Sequence, residues 1–578
     1  MQRHLLRAVL PREGPNRWDL VLLPMVIASL FMVVLGAQRM AAPYAAGAPL
    51  SVSLDPAALP GYTLQTVLRM ALAMAASVVF TFAYGSLAAK SERAGRILIP
   101  LLDILQSVPI LGFLSITVVG FLKLFPGSLL GPEMAAVFAI FTSQAWNMAF
   151  SFYASLRVVP RDLYQASVVF GLSPWQRFWK LEVPFATPNL VWNAMMSVAG
   201  GWFFVVASEA ISVEGYSINL PGIGSYIALA IAQKNAAAMA YAVAAMLLVI
   251  LSTDQLLFRP LVAWAERFKV ELSPGPPPPR SWLLTALRRA RIGRLAAELG
   301  ARLWELSSRL LAGRRSRLPG RRRRRLSARS LHVLDRWRTL ILVAVAGMSI
   351  VALVRFVHGE VSYSEIGQVA VYGLITALRV AVLTLLATLV WLPVGVWIGL
   401  RPRLAQRAQP VVVFLAAFPA NLVFPVAVSA IIAWRLNPEV WLSPLMILGT
   451  QWYILFNVIA GAAALPGDLK EAAASLGLRH RVLWQRVLLP AVFPAYVTGG
   501  LTASGGAWNA SVVAEVASWG ADTLSATGIG AYIAANTAAG DHPRIALGVA
   551  VMSLYVIALN RTVWEKLYVL ARQRFALE

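Results

Sequence analysis

The chain has 578 residues, of which 58% are hydrophobic and only 13% charged, about half the charged share of a soluble protein. No soluble core hides that much apolar sequence, so the solvent has to be a bilayer. The absence of cysteine excludes disulfides, iron–sulfur clusters and thiol chemistry, and the five scattered histidines show no metal-ligand spacing.

Taken in chain order, Arg3, Arg7, Arg12 and Arg17 precede an apolar run that is too long for a cleavable signal and lacks a small-residue cleavage site. A helix needs ~20 mostly apolar residues to cross a bilayer. Uncharged runs of about that length recur at residues 20–38, 70–89, 104–122, 134–156, 183–208 and 235–253. A second set follows at 339–354, 380–400, 408–434, 440–467, 487–514 and 545–560. Twelve spans are therefore expected in an all-α membrane protein of two tandem six-helix halves, residues 1–270 and 339–578. Lys90, Arg93 and Arg96, then Arg157 and Arg161, then Arg259, Arg267 and Lys269 make every second loop basic. The positive-inside rule places both termini and the central linker in the cytoplasm.

The linker, residues 271–338, leaves the membrane through Ser273-Pro-Gly-Pro-Pro-Pro-Pro-Arg280, a stiff polyproline-type exit. Residues 283–311 alternate arginine with Leu, Ile, Ala and Trp304 at helical spacing, as an amphipathic surface helix does. Residues 312–330, with the run Arg321–Arg325, read as a disordered tether or as an orienting anchor for the seventh span. Eighteen arginines against Glu298, Glu305 and Asp335 give this linker a net charge of +15 between Arg280 and Arg338. Such a charge fits anionic lipid headgroups better than nucleic acid.

The halves repeat one another. A shift of 306 residues lays Pro160 on Pro466, Asp162 on Asp468, Leu163 on Leu469, Ala166 on Ala472 and Gly171-Leu172 on Gly477-Leu478. The same shift pairs Pro184 with Pro490, Pro188 with Pro494, Trp202 with Trp508 and Glu209 with Glu515, and Gly222-Ile-Gly224 with Gly528-Ile-Gly530. Upstream the shift is 310, joining Thr66 and Arg69 to Thr376 and Arg379, and Pro100 and Pro109 to Pro410 and Pro419. Six spans per half make the repeat parallel, which argues against carriers built on inverted repeats of odd span number.

The best-matched segments are the loops between spans four and five. In the second, Asp468-Leu-Lys-Glu-Ala-Ala-Ala-Ser-Leu-Gly477 reads as a short helix closed by a glycine suited to a left-handed cap, and Pro490 opens the next span. Glu471-Ala472-Ala473, Gly477 and Leu489-Pro490 resemble the "EAA" signature of bacterial ABC (ATP-binding cassette) import permeases. The first loop departs from that signature, with Gln165-Ala166-Ser167 where the glutamate is expected, but it keeps Gly171 and Pro184. Val108-Pro109 after Leu105-Gln106, the Glu209/Glu515 pair and the Gly-Ile-Gly-x-Tyr-Ile stretch are similar to the nitrate/sulfonate/taurine/bicarbonate class, in its duplicated, fused branch.

The resemblance implies a type I ABC importer permease fold in the bacterial inner membrane. It implies ATPase-coupling contacts at Gln165, Ala166, Ser167, Gly171 and Leu172, and at Glu471, Ala472, Ala473, Gly477 and Leu478. It implies two cytoplasmic ATP-binding subunits that carry the ATP and magnesium, and a periplasmic substrate-binding protein. The chain has no Gly-x-x-x-x-Gly-Lys-Ser/Thr loop, so no cofactor is expected in it and it is a non-catalytic subunit. The expected function is import of a small anion. A fused iron(III) or thiamine permease, and a secondary carrier, are the alternatives.

Path or gate candidates are Arg69, Arg379, Glu209, Glu515, Trp202 and Trp508, with Ser197, Ser504, Asn509 and Ser511 as neutral donors. The tryptophans line the path or pack between helices. At 1.5 Å per residue, Arg69 stands ~32 Å from Lys90 and Glu209 ~38 Å from Pro184, at the outer edge of the hydrocarbon. A charge at that depth seeks a partner, so each half is expected to pair its arginine with its glutamate. The rival readings have the arginines facing the central path or snorkelling to water.

Overall fold

The structure is a computed structural model that describes residues 16–44, 50–213, 216–268, 281–290 and 360–575, with isolated positions between 293 and 355. The proline-rich exit, most of the arginine-rich linker and most of the expected seventh span lie outside the described residues. Of the amphipathic stretch, Trp282–Arg289 is a helix capped by the Ser281 hydroxyl, which accepts from the Leu284 amide.

Helices dominate. Among the described residues seven are long and apolar enough to cross a membrane, and three further pairs, each bent at a break, bring the number to ten. Helix Leu130–Arg157 occupies the expected fourth span and has the length, but Ser143, Gln144 and Asn147 lower its hydropathy. Gln144 is buried, so this helix faces protein more than lipid.

The expected third and ninth spans are not straight helices. Glu92–Gln106 and Ile110–Leu124 meet at 91°, and Pro402–Ala417 and Ala420–Ala433 at 76°. The cause is local: proline crowds the residue before it out of the helical region. Val108, before Pro109, is extended at φ −79°, ψ 126°, and Phe418, before Pro419, at φ −69°, ψ 123°. At the first bend the Asn509 side chain accepts the Ile110 amide at 2.7 Å, satisfying a helix-start donor. The tenth span is also broken, by 42°, between Pro438–Leu448 and Trp452–Ala463.

Two features absent from an all-helical reading follow the fifth and eleventh spans. Ala210–Val213 pairs antiparallel with Tyr216–Asn219, and Val516–Trp519 with Asp522–Ser525. Single π-helical turns are duplicated as well, at Phe178–Glu182 and Asp254–Phe258 in the first half and at Trp484–Leu488 and Asn560–Trp564 in the second. Such one-residue insertions in a helix collect at functional places.

By contacts the chain forms two compact units. The smaller joins the described residues up to Arg39, Ala154–Trp192 and those between Ser252 and Arg324. In it Leu22 of helix Arg17–Met40 packs with Leu283, Ala286 and Ala290. The larger holds the described residues of Met40–Tyr153, Asn193–Leu251 and the whole second half. Its core draws on both halves, with Ile110, Leu111 and Val118 from the first and Ala503, Ala507 and Trp508 from the second. Helices approach closely through small residues, as membrane packing favours: a methyl on Gly395 would strike Val458, and one on Gly399 would strike Ala462.

Candidate functional site

In the larger unit, four helix ends and a hairpin converge on one buried cluster. Arg69, in helix Leu59–Lys90, is fully buried. It forks onto Glu133 with Nε and Nη2, both at 2.6 Å, and donates from Nη1 to Glu209 at 2.6 Å. Its Nη2 also donates to the Pro221 carbonyl at 3.0 Å. Glu209 accepts from the Thr66 hydroxyl at 2.7 Å and from the Gly224 amide at 2.6 Å, and Thr66 in turn accepts the Ile223 amide. Both carboxylates bond the one guanidinium and the first two amides of helix Ile223–Ala232 are used, which is the condition under which ions survive burial.

The second half repeats the design with a looser seal. Thr376 donates to Glu515 at 2.7 Å and accepts the Ile529 amide, and the Ala531 amide reaches Glu515 at 3.0 Å. Arg379 donates to Glu439 at 2.5 Å and to the Thr527 carbonyl at 2.7 Å, but stands 3.4 Å from Glu515. The Arg379 and Glu439 side chains are 13% and 43% exposed, against 0% and 1% for Arg69 and Glu133.

The arginine–glutamate pairs expected from depth alone thus meet, and each acquires a second carboxylate that sequence reasoning missed. The signal was present: Glu133 and Glu439 share the 306-residue shift and open the helices Leu130–Arg157 and Pro438–Trp441. The Gly-Ile-Gly motif gains its reason here too. A methyl on Gly222 would overlap the Glu209 carboxylate, and one on Gly528 the Glu515 carboxylate, while Gly224 and Gly530 lie against backbone carbonyls of Val206 and Ser511. Both Gly222 and Gly528 have extended backbones, so space and not conformation demands glycine.

The remaining path candidates are largely committed to the protein. Trp202 and Trp508 are each 1% exposed and lie in packed interior. Ser511 donates to the Trp508 carbonyl of its own helix, Ser197 accepts from Asn147, Ser504 is buried and Asn509 caps the first bend.

The two EAA-like loops form the short helices Arg161–Val169 and Gly467–Ser475. In the first, the Leu172 amide donates to Ser167 and the Gly171 amide to Val168; in the second, Leu478 donates to Ala473 and Gly477 to Ala474. That is the Schellman closure, and Gly171 and Gly477 hold the required left-handed backbone at φ 68° and 63°. Gln165 and Glu471 point outward, whereas Ser167 and Ala473 are buried. Arg177 lies 4.5 Å above the Tyr164 ring and braces the first loop. The exposed shoulder differs: Val168, Val169 and Phe170 in the first loop, Ala474, Ser475 and Leu476 in the second.

The sequence pattern of the binding-protein-dependent transport system inner membrane component family matches twice, over residues 81–258 and 392–562, more than half of the chain. Among curated proteins, the chain is 27% identical over 159 residues to the nitrate import permease protein NrtB of Synechocystis sp., covering 28% of this chain and 53% of that one. It is 30% identical to the glycine betaine/proline betaine permease ProW of Escherichia coli, over 30% of this chain and 48% of ProW. It is 23% identical to the bicarbonate permease CmpB of Synechococcus elongatus, over 36% and 68%. The chain therefore spans about half the length of the nitrate and betaine permeases it matches.

Removing Arg69 leaves two buried carboxylates facing one another without a cation. Arg69→Ala is expected to cost about 3–5 kcal/mol, the usual penalty for breaking a buried ion pair. Arg379→Ala should cost clearly less, because water reaches its partner. Thermal melts of the two variants in detergent decide it, and equal or inverted losses would contradict the sealed-versus-open distinction. In the same assay Gly222→Ala and Gly528→Ala should each lose about 1–3 kcal/mol by overpacking against a carboxylate.

Proposed function

The chain belongs to the family of binding-protein-dependent transport system inner membrane components, and from that premise we propose that it is the fused, two-in-one permease of an ATP-driven importer. The observation that carries the reading is the pair of short helices with identical Schellman closures, 306 residues apart in the sequence. A carrier or channel has no need of two such projections, and the family match over both halves weighs against it. The chain supplies no phosphate-binding loop, so nucleotide chemistry belongs to separate subunits and this chain is a membrane component without a catalytic centre.

On this reading each short helix docks in a groove of one ATP-binding subunit. Gln165, Ala166, Ser167, Gly171 and Leu172 serve the first contact, and Glu471, Ala472, Ala473, Gly477 and Leu478 the second. Closure of the ATPase pair then rocks the two halves between inward-open and outward-open states. Both termini lie in the cytoplasm, and a binding protein delivers the substrate from the other side of a bacterial inner membrane. The clusters around Arg69–Glu209 and Arg379–Glu515 then stand at the outer edge of the hydrocarbon, where they fasten the gate elements to the spans.

The cargo on this reading is a small anion of the nitrate, sulfonate, taurine or bicarbonate type. Relatives named for nitrate and bicarbonate support it, and relatives named for betaines form the competing group.

The docking contacts are testable because an added side chain at either cap glycine meets nothing within 4 Å. Its whole cost is backbone strain, about 1–2 kcal/mol for a residue that avoids the left-handed region. Gly477→Val and Gly171→Val should insert normally yet lose several-fold in ATP hydrolysis by the reconstituted complex, whereas Gly477→Asn, which tolerates that backbone, should retain most of it. Unchanged hydrolysis in both valine variants would remove the docking argument, and failure of any ATP-binding subunit to co-purify would remove the importer reading.

A further inference from the structure

Within the larger unit, each buried ionic cluster roots an element that reaches the other half. In the second half the hairpin Val516–Trp519 with Asp522–Ser525 is rooted at Glu515, whose carbonyl accepts the Ala526 amide at 2.8 Å. Ala517 of this hairpin is buried, and its first strand lies against helix Phe424–Ala433 of the same half. In the first half, helix Ile223–Ala232 is rooted at Glu209 through the Gly224 amide, at 2.6 Å. Each hairpin also lies against the short helix of the opposite half: Val516–Trp519 against Ile223–Ala232, and Ala210–Val213 against Ile529–Ala539.

One of these crossings carries a polar clasp. The Gly520 amide donates to the Ile231 carbonyl at 2.9 Å, and Lys234 Nζ donates to Asp522 Oδ2 at 2.7 Å. Gly520 holds a left-handed backbone at φ 64°, and a methyl there would stand 2.5 Å from Lys234 Cγ, so the lysine stem lies directly on the glycine. Lys234 is itself left-handed at φ 51°, a conformation that lysine rarely adopts. Backbone strain of that kind persists where the surrounding contacts impose it. The 306-residue shift sets Gly540 at the place of Lys234 and Tyr216 at that of Asp522, so the other crossing cannot form the ion pair.

We infer that this contact is a one-sided latch between the halves, closed in this structure, which opens whenever they part on the face away from the docking helices. The inference rests on the importer reading and adds a point of control to it. Its place follows from helix Leu489–Ala514, whose 26 residues separate docking helix Gly467–Ser475 from the hairpin. At 1.5 Å per residue they span ~39 Å, enough to cross the ~30 Å of hydrocarbon. The roots of the latch are buried ions that cost too much to separate, so motion between the halves falls on its tips. Lys234 and Asp522 are both half-exposed, and an exposed ion pair is weak and readily remade, as a contact broken in every cycle has to be.

Because the chain has no cysteine, Lys234→Cys with Gly520→Cys makes a single reporting pair. Their β-carbons fall within about 4 Å of each other, as a disulfide requires. In the full chain with its ATP-binding subunits in lipid nanodiscs, oxidation should join the pair at rest. Trapping the nucleotide-bound state with vanadate should slow that joining at least about fivefold. The joined complex should lose at least about fivefold in ATP hydrolysis and regain it in dithiothreitol. Without any cross-link, Lys234→Ala and Asp522→Ala should each raise resting hydrolysis about two- to fivefold, and the exchanged pair Lys234→Asp with Asp522→Lys should bring it back. A brace that takes no part in the cycle would join equally fast with and without vanadate, and its cross-link would leave hydrolysis unchanged. Either result overturns the proposal, as does failure of the pair to join in folded protein. Co-purification of an ATP-binding subunit reads the importer assignment separately, and the disulfide forms or fails in this chain whatever that outcome, so the two failures are told apart.

Discussion

A guanidinium cannot stay uncharged and cannot stay alone in a low-dielectric interior, and that constraint organises the better part of this molecule. Arg69 sits fully buried, so two carboxylates, a carbonyl and the elements that carry them have to come to it. Glu133 brings the start of helix Leu130–Arg157, Glu209 brings the end of Val183–Glu209, and Pro221 brings the chain just beyond the hairpin. The pair of carboxylates is itself held by Thr66 and by the first amides of helix Ile223–Ala232. Hydrophobic packing between membrane helices is weakly directional, since lipid tails are as apolar as leucine. A fork of charge-assisted hydrogen bonds has a direction, and it sets the register of the helices that carry its partners.

Local sequence choices make the cluster possible. Gly222 and Gly224 surrender their side chains so that the Glu209 carboxylate and the Val206 carbonyl can lie against the backbone. The hairpin Ala210–Val213 with Tyr216–Asn219 turns the chain back so that Leu220 donates to the Glu209 carbonyl. Proline does comparable work at the broken spans. Pro109 and Pro419 force an extended residue into an apolar run, and the freed Ile110 amide is met by Asn509. Phe418, at the second bend, lines a small pocket together with Phe203 of the first half and Tyr453 of the second.

Much of this was legible before any coordinate. The apolar runs placed the helices, the 306-residue shift announced the duplication, and membrane depth alone paired Arg69 with Glu209 and Arg379 with Glu515. The left-handed cap at Gly477 followed from the short alanine-rich helix before it, and that at Gly171 from the repeat that lays Gly171 on Gly477. Other features were hidden for physical reasons. A proline within an apolar run reads equally as a kink or as a right-angle break, because the angle depends on what packs into the gap. Glu133 and Glu439 were overlooked because a lone acid at a helix start has an ordinary explanation in the helix dipole. The four-residue strands carry too few residues for alternation to show. That small pocket belongs to neither half alone, and no one-dimensional reading assigns Thr450 and Tyr453 to the same space as Phe203.

Duplication inside one chain also releases a constraint that a homodimer cannot escape. Two copies of one polypeptide must present identical residues on both sides of their axis. Here the second cluster keeps the partners of the first yet admits water to Glu439, at 43% exposure. One short helix offers Gln165 with an apolar shoulder at Val168, Val169 and Phe170, while the other offers Lys470 and Glu471 with Ala474, Ser475 and Leu476. What both halves retain are the atoms that fix backbone geometry: the cap glycines, the threonine, the arginine and the paired carboxylates. What has diverged is the surface and the strength of the seal. That division follows from cost. Losing a buried charge partner costs several kcal/mol, whereas exchanging an exposed side chain costs a few tenths, so a fused pair drifts apart on its surface while its buried clusters stay alike.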